Sequence, residues 1–185
     1  VHTKRPHLTI ARALFIKIMQ QYEKRSYRLT LLEIQKLAYF LQEAGEPLRL
    51  KYDAGIYGPY APNLNKVLEV LEGHYTRGYG DTQKPDVEIT LLPEASNDAD
   101  RFLEYHEDSL TRLERVASLI DGFETPYGME LLSSVHWVVH HDGSFPTDVG
   151  KEPFAVHGWN DRKRKMFKPD HIEVAWSRLK EEGWL

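Results

Sequence analysis

The sequence predicts an α+β protein, a single, predominantly helical domain over residues 1–185 with a small β-sheet. Two observations support this fold class. Long segments place apolar residues three and four positions apart, as helices with one buried face do. Two short segments instead alternate apolar and polar residues, which is typical of half-buried strands. A length of 185 residues fits one domain with a sizeable hydrophobic core.

The first two helices are predicted near the start of the chain. Apolar residues have helical spacing over Leu8–Lys24. A second helix follows Thr30, which can form a capping box with Glu33, and it ends before Gly45. The apolar stripe of this second helix includes Leu37, which we therefore expect in the core.

The remaining elements alternate between strands and helices. Strands are predicted over Pro47–Tyr52 and Asp86–Leu92, and residues 73–86 between them are expected to form a loop or a short strand. Glycine, proline or threonine residues mark the ends of four further helices. These helices are predicted over Asn63–Glu72, Ser96–Asp121, Thr125–His141 and Lys168–Glu182, with a Gly- and Pro-rich loop after Asp142.

Composition and charge limit the classes of function. The formal net charge is −4, which counts against a general nucleic-acid-binding protein, and the absence of cysteine excludes disulfides and thiol nucleophiles. No apolar run reaches the length of a membrane span, so we expect a cytoplasmic protein without a membrane partner. Acidic residues outnumber basic ones by eleven over residues 61–150, whereas both flanking regions carry a basic excess.

A rigid aromatic turn is the most distinctive local feature. Tyr52, Tyr57 and Tyr60 surround a loop in which Gly58 permits unusual dihedral angles and Pro59 fixes its own φ. Tyrosines on a preorganised loop lose little entropy on binding and serve as interface anchors. The alternative is that they pack over the end of the second helix.

Two charged segments could each bind a partner. Carboxylates that recur along one helix can imitate a phosphate backbone, although a solvated helix face has the same pattern. The acidic candidates are Asp98, Asp100, Glu104 and Asp108. A basic run over residues 162–168 could contact phosphates, with Trp159 and Phe167 stacking on bases, or it could be solvated surface.

Two histidines offer a further candidate site. His136 and His140 lie four positions apart on a predicted helix and could share a metal ion, although no third ligand follows from the spacing. Structural or surface roles fit them better. A metal-dependent hydrolase around this pair is the third functional hypothesis.

Three segments together resemble a known family. Residues 33–40 read EIQKLAYF, residues 45–48 read GEPL and residues 57–60 read YGPY. This order resembles the Panacea (SocA-like) antitoxin domains. The closing segments GWNDRK at 158–163 and FKP at 167–169, with LKEEGWL at 179–185, are similar to the C-terminal toxin-binding domain of DarG antitoxins.

The resemblance implies a non-enzymatic antitoxin domain. Its expected partner is a DarT-type DNA ADP-ribosyltransferase toxin, whose single-stranded DNA site it would block by DNA mimicry. Glycohydrolase activity would then belong to an N-terminal macrodomain that is missing from this C-terminal fragment. We expect no catalytic residue, no cofactor, no metal and no direct nucleic-acid partner, with a nucleic-acid-binding module at residues 162–168 as the alternative. The expected toxin-binding residues are Tyr52, Tyr57, Tyr60, Asp98, Asp100, Glu104, Asp108 and Trp159.

Overall fold

The structure is a computed structural model that describes residues 4–80, 84–141 and 153–185. It confirms the α+β class, because helices dominate this part of the chain and the strands form two small antiparallel pairs. The Gly- and Pro-rich loop predicted after Asp142 lies largely outside the described residues. The α-helices are α1 (Ile10–Glu23), α2 (Leu31–Glu43), α3 (Leu64–Leu71), α4 (Ala95–Leu103), α5 (Glu107–Ile120), α6 (Pro126–His140), α7 (Asp161–Met166) and α8 (Pro169–Glu181).

The strands form two separate antiparallel pairs. Strands β1 (Asp53–Gly55) and β2 (Gly58–Tyr60) form a hairpin that packs against α2 and α6. Strands β3 (Thr76–Arg77) and β4 (Thr90–Leu91) pair further along the chain. A 3₁₀ helix precedes α7 and contacts α6 as well.

The core lies between α1, α2 and α6, which carry most of the fully buried side chains. Leu37 on α2 is completely buried, as its stripe predicts. Helix α4 closes the core on the side of α1, and α8 closes it on the side of α6. The apolar periodicity of these helices therefore corresponds to real burial.

Helix caps account for several of the observed boundaries. The capping box of Thr30 and Glu33 is present at the start of α2. The Thr9 hydroxyl accepts from the backbone N–H of Arg12, and the Thr125 hydroxyl accepts from that of Gly128. Because these signals are local, the starts of α1, α2 and α6 follow closely from the sequence.

The predicted strand Pro47–Tyr52 is wrong. The backbone N–H and carbonyl of Leu50 are both bonded by the side chain of Gln42, at 2.7 and 2.9 Å, so no neighbouring strand pairs there. Arg49 adopts a left-handed φ of 59°, which interrupts an extended segment. The Asn63 side chain bonds the backbone on both sides of Leu50 as well.

Other boundaries also differ from their predictions. The helix predicted over Ser96–Asp121 is two helices, because His106 has a non-helical backbone conformation between α4 and α5. The strand predicted over Asp86–Leu92 is paired as a strand only at Thr90–Leu91, with one further bridge between Glu88 and Thr30. Helix α3 begins at Leu64 rather than Asn63.

The closing residues of the chain pack against α2 and α6. Trp184 is almost fully buried, and its ring meets those of Phe40 and His136 edge to face. The guanidinium of Arg115 lies 4.4 Å from the Trp184 ring, and the Trp184 carbonyl is 2.7 Å from His140 Nε2. These contacts join the chain end to the core.

No helix in the described part of the chain is long and apolar enough to cross a membrane.

Candidate functional site

The hairpin of β1 and β2 presents two exposed apolar side chains at its tip. Ile56 is 66% exposed and Tyr57 is 36% exposed. The turn requires glycine at residue 58, where φ is +100° and a Cβ would lie 2.8 Å from Ser134 Oγ. The predicted aromatic turn is thus a tight hairpin seated directly on α6.

Two buried lysines and a partly buried tryptophan hold the backbone of this hairpin. Lys36 Nζ on α2 donates to the carbonyl of Pro59 at 2.6 Å. Lys163 Nζ on α7 donates to the carbonyl of Ile56 at 3.2 Å. Trp159 Nε1 donates to the carbonyl of Gly55 at 2.9 Å, so hydrogen bonds fix the hairpin on both strands and at the tip.

One buried carboxylate lies among the basic side chains under the hairpin. Glu130 on α6 pairs with Arg162 and lies 3.7 Å from Lys163 Nζ. Burial lowers the pKa of Lys36 to about 7 and that of Lys163 to about 8, while the Glu130 carboxylate opposes both shifts. Two buried amines whose pKa values lie near neutral pH are therefore located beneath the exposed hairpin tip.

Arg162 links this buried cluster to the exposed tip. Its guanidinium carbon lies 4.7 Å from the centre of the Tyr57 ring, and the same guanidinium pairs with Glu130. Tyr57 also lines a surface cleft. Because Tyr57 both contacts a planar cation and lines an open cleft, it is a candidate for ligand stacking.

The cleft beside Tyr57 has a volume of about 520 Å³, within the range of ligand-binding clefts. It joins a narrow apolar pocket beside α2, with which it shares Leu32, Tyr57 and Pro85. Two cationic side chains, one carboxylate and one aromatic ring line the cleft. Its lining residues are Arg28, Thr30, Leu32, Tyr57, Lys84, Pro85, Asp86 and Pro126.

The backbone places the charged residues of the cleft. The N–H of Leu32 donates to the carbonyl of Pro85 at 3.0 Å, which fixes Lys84 and Asp86 beside the start of α2. The guanidinium of Arg28 makes no hydrogen bond or ion pair with any residue that the structure describes. The cleft therefore offers an arginine that is available for an anionic group.

Of the aromatic residues predicted to bind a partner, three make hydrogen bonds within the fold and one lines the cleft. Only Tyr57 lines the cleft. The Tyr52 hydroxyl donates to the carbonyl of Gln35, and burial raises the Tyr52 pKa well above its ordinary value. The Tyr60 hydroxyl accepts from Asn65, while Trp159 holds the hairpin. Packing over α2, the alternative considered for these tyrosines, describes Tyr52, whereas Tyr60 bonds Asn65 of α3.

The predicted acidic surface is not continuous with the hairpin. Asp98 pairs with Arg5 at 2.5 Å and Asp100 pairs with Lys17 at 2.7 Å, which ties the acidic face of α4 to residues at and before α1. Glu104 is exposed after α4. Asp108 lines a separate cleft at the start of α5, beside the ion pair of Arg112 and Glu46.

The two histidines have structural roles. His136 is buried, and its Nδ1 lies 2.6 Å from the hydroxyl of Tyr39. Burial, with His140 and His141 nearby, lowers the His136 pKa to about 3, so the ring stays neutral. His140 stacks on His136 and bonds the Trp184 carbonyl. Among the residues described, no group of three or more metal-binding side chains occurs.

Sequence reasoning missed most of the cleft. Arg28, Lys84, Asp86 and Pro126 come from three separate segments, and no spacing between them indicates a shared site. One local signal was available. Arg28 lies two residues before the capping residue Thr30, which places a cation beside a helix start.

No family model matches the chain. The chain is 42% identical over 181 residues to a protein of Thermus aquaticus named DNA ADP-ribosyl glycohydrolase; the match covers 98% of this chain and 49% of that protein. It is 32% identical over 191 residues to proteins of the same name from Mycobacterium bovis and Mycobacterium tuberculosis, covering 93% of this chain and 53% of each relative. The chain thus spans about half the length of the relatives it matches.

These relatives correct the functional interpretation made from the sequence. They carry the name of an enzyme, DNA ADP-ribosyl glycohydrolase, so the assignment to a non-enzymatic, toxin-binding antitoxin domain is wrong. The alternative of a nucleic-acid-binding module at residues 162–168 is wrong for the same reason. The structure adds a physical reason against that module, because Lys163 is completely buried and Arg162 and Arg164 pair with Glu130 and Asp161.

Proposed function

We propose that this chain takes part in the removal of ADP-ribose from DNA, and that the cleft beside Tyr57 holds the ADP-ribosyl group. The similarity to proteins named DNA ADP-ribosyl glycohydrolase supports the reaction. Because the chain spans about half of their length, both the activity and the substrate are proposals for it. We propose the cytoplasm as its location, since the chain has no cysteine and its proposed substrate is DNA.

The chemistry of the cleft supports this substrate. An ADP-ribosyl group carries a diphosphate, an adenine ring and ribose hydroxyls. Arg28 and Lys84 are cations that suit a diphosphate, and the exposed face of Tyr57 suits a purine ring. The carboxylate of Asp86 is an acceptor for ribose hydroxyls.

One observation supports the proposal most directly. A guanidinium without a partner in the described structure, a lysine and an aromatic face converge on one cleft of about 520 Å³. Two further clefts of similar volume lie elsewhere in the described structure. The cleft that contains Asp108 is lined by three carboxylates and one arginine, which suits an anionic ligand poorly. The cleft beside Tyr75 has two arginines, but the guanidinium of Arg5 already pairs with Asp98 and lies over the Tyr75 ring. The substrate is therefore assigned to the cleft beside Tyr57.

The test compares two oligonucleotides of one sequence, of which one carries a single ADP-ribosylated base. We expect the chain to bind the modified strand about tenfold more tightly and to release free ADP-ribose from it faster than buffer does. Arg28→Ala should remove most of this preference, whereas Arg77→Ala, an exposed arginine on β3, should leave it unchanged. Equal affinity for both strands would overturn the assignment of the cleft, and an absence of ADP-ribose release would overturn the activity.

A further inference from the structure

We propose that Arg162 is a positioning residue for the cleft: anchored by Glu130, it fixes the ring of Tyr57 with one face turned to the ligand. This inference rests on the proposed function, because it assigns the cleft as the site whose ligand Tyr57 meets. Arg162, the first residue of the basic run over residues 162–168, would then have a structural role in the site.

The anchor of Arg162 is rigid. The Glu130 side chain is 1% exposed on the core helix α6, whereas the Arg162 side chain is 41% exposed on α7. The carboxylate therefore holds the guanidinium from below while the other end of the guanidinium plane reaches the surface. A planar guanidinium can pair with a carboxylate and stack on an aromatic ring at the same time.

Hydrogen bonds hold the backbone on either side of Tyr57 but not its side chain. Lys36 and Lys163 bond carbonyls on either side of Tyr57, so the backbone at the tip is fixed. The Tyr57 hydroxyl, in contrast, has no hydrogen-bond partner among the described residues, and the contact given for its ring is with Arg162. Rotation about the side-chain bonds would turn the ring away from the cleft, and the stacked guanidinium opposes that rotation.

Neighbouring residues of α7 provide a matched comparison. Arg164 is also exposed on this helix, but it pairs with Asp161 of its own helix and contacts neither Glu130 nor Tyr57. Replacing Arg164 removes the same charge from the same surface. Any effect that is confined to Arg162 then reports its contact with Tyr57 rather than net charge.

The first experiment measures the environment of the ring without any ligand. A 3-fluorotyrosine at position 57 is observed by fluorine NMR in the wild-type chain and in the variants Arg162→Ala, Arg162→Lys and Arg164→Ala. We expect the wild-type and Arg164→Ala resonances to coincide, and those of both Arg162 variants to move toward the value of free fluorotyrosine, because lysine keeps the charge but not the planar stack. An unchanged resonance in folded Arg162→Ala would overturn the proposal.

The second experiment measures binding of the ADP-ribosylated oligonucleotide in a double-mutant cycle. Arg162→Ala and Tyr57→Ala should each weaken binding about five- to tenfold, and the double variant should be no weaker than Tyr57→Ala alone. Additive losses would show that Arg162 contacts the ligand itself and would overturn the positioning role. If wild-type protein does not prefer the modified strand, the proposed function fails, while the fluorine resonance still decides whether Arg162 positions Tyr57.

Discussion

The Tyr22 hydroxyl on α1 donates a hydrogen bond to the buried carboxyl group of Glu33, which also caps α2 through Thr30. A single side chain thereby joins two core helices and completes the capping box. Burial raises the pKa of Glu33 from 4.5 to about 7, because the ionised carboxylate loses its hydration there. The neutral acid is therefore the form that this position favours.

Glu33→Gln should stabilise the protein above neutral pH. The folded state binds the Glu33 proton more tightly than the unfolded chain does, so the contribution of Glu33 falls as pH rises from about 4.5 through 7. In the neutral form the O–H of Glu33 donates to the Tyr22 oxygen instead, and glutamine keeps this arrangement through its N–H while its carbonyl accepts from Thr30, without the charge. We expect an increase of roughly 1–2 kcal/mol in the free energy of unfolding at pH 8, and little change at pH 5.

Urea unfolding of the variant and the wild type at both pH values measures this difference. The variant has to be compared with the wild type at each pH because His136 also titrates. Its pKa is lowered to about 3, so it reduces the stability of both proteins as pH falls below 6.5. Glu104→Gln, at an exposed position, is the control. A Glu33→Gln variant that loses stability at pH 8 would show that the ionised carboxylate is the stabilising form.

Lys36→Met should reduce the dependence of stability on alkaline pH. The pKa of Lys36 is lowered from 10.5 to about 7, so between these values the unfolded chain binds a proton that the folded chain has released. Wild-type stability therefore rises with pH in this window, by up to about 1.4 kcal/mol per pH unit for one amine. Lys163 adds to the same slope above its pKa of about 8.

Denaturant midpoints between pH 7 and 9.5 test the slope. We expect a shallower rise for Lys36→Met than for the wild type, and a wild-type slope for Lys165→Met, which alters an exposed residue of α7. Equal slopes in Lys36→Met and the wild type would mean that Lys36 stays charged in the fold.

Leu37→Ala should destabilise the protein strongly. Leu37 is fully buried on α2, so truncation removes apolar contacts and leaves a cavity between helices. We expect a loss of roughly 2–5 kcal/mol in the free energy of unfolding. Val70→Ala, on the exposed side of α3, should cost less than about 1 kcal/mol in the same measurement.

Gly58→Ala should cost more than Gly73→Ala. Both glycines have a positive φ, but a Cβ at residue 58 would meet Ser134 Oγ at 2.8 Å, while nothing lies within 4 Å at residue 73. The Gly73 variant therefore measures the backbone strain alone, roughly 1 kcal/mol. Thermal unfolding should show a larger loss of stability for Gly58→Ala than for Gly73→Ala. Equal losses of stability would mean that Ser134 on α6 moves aside without an energetic penalty.

Local signals explain which parts of the fold were predictable. The capping box at Thr30, the proline after Thr125 and the apolar stripe around Leu37 all act within a few residues, and each is confirmed. The strand predicted over Pro47–Tyr52 failed because Gln42, a side chain on α2, takes the hydrogen bonds that a neighbouring strand would have made. The alternation of apolar and polar residues does not reveal that a side chain, rather than a neighbouring strand, bonds the backbone at Leu50.

Charge patterns were less informative than helical patterns for the site. A run of basic residues predicts an exposed surface, yet Lys163 is buried because Glu130, which is 33 positions away in the chain, lies beneath it. Tyr57 of the aromatic turn is exposed, and its role as a contact residue stays a prediction. The rest of the cleft depends on how residues 28, 84–86 and 126 meet in space, which no local spacing encodes.

The burial of Trp184 limits how this protein can be shortened. A version that stopped before Trp184 would expose the rings of Phe40 and His136 to water. It would also remove the contacts that Arg115 and His140 make with Trp184. Newly exposed aromatic surface of this kind promotes aggregation during expression. Any shortened version therefore has to keep Trp184 as part of the core, whereas the side chain of the next residue, Leu185, is exposed.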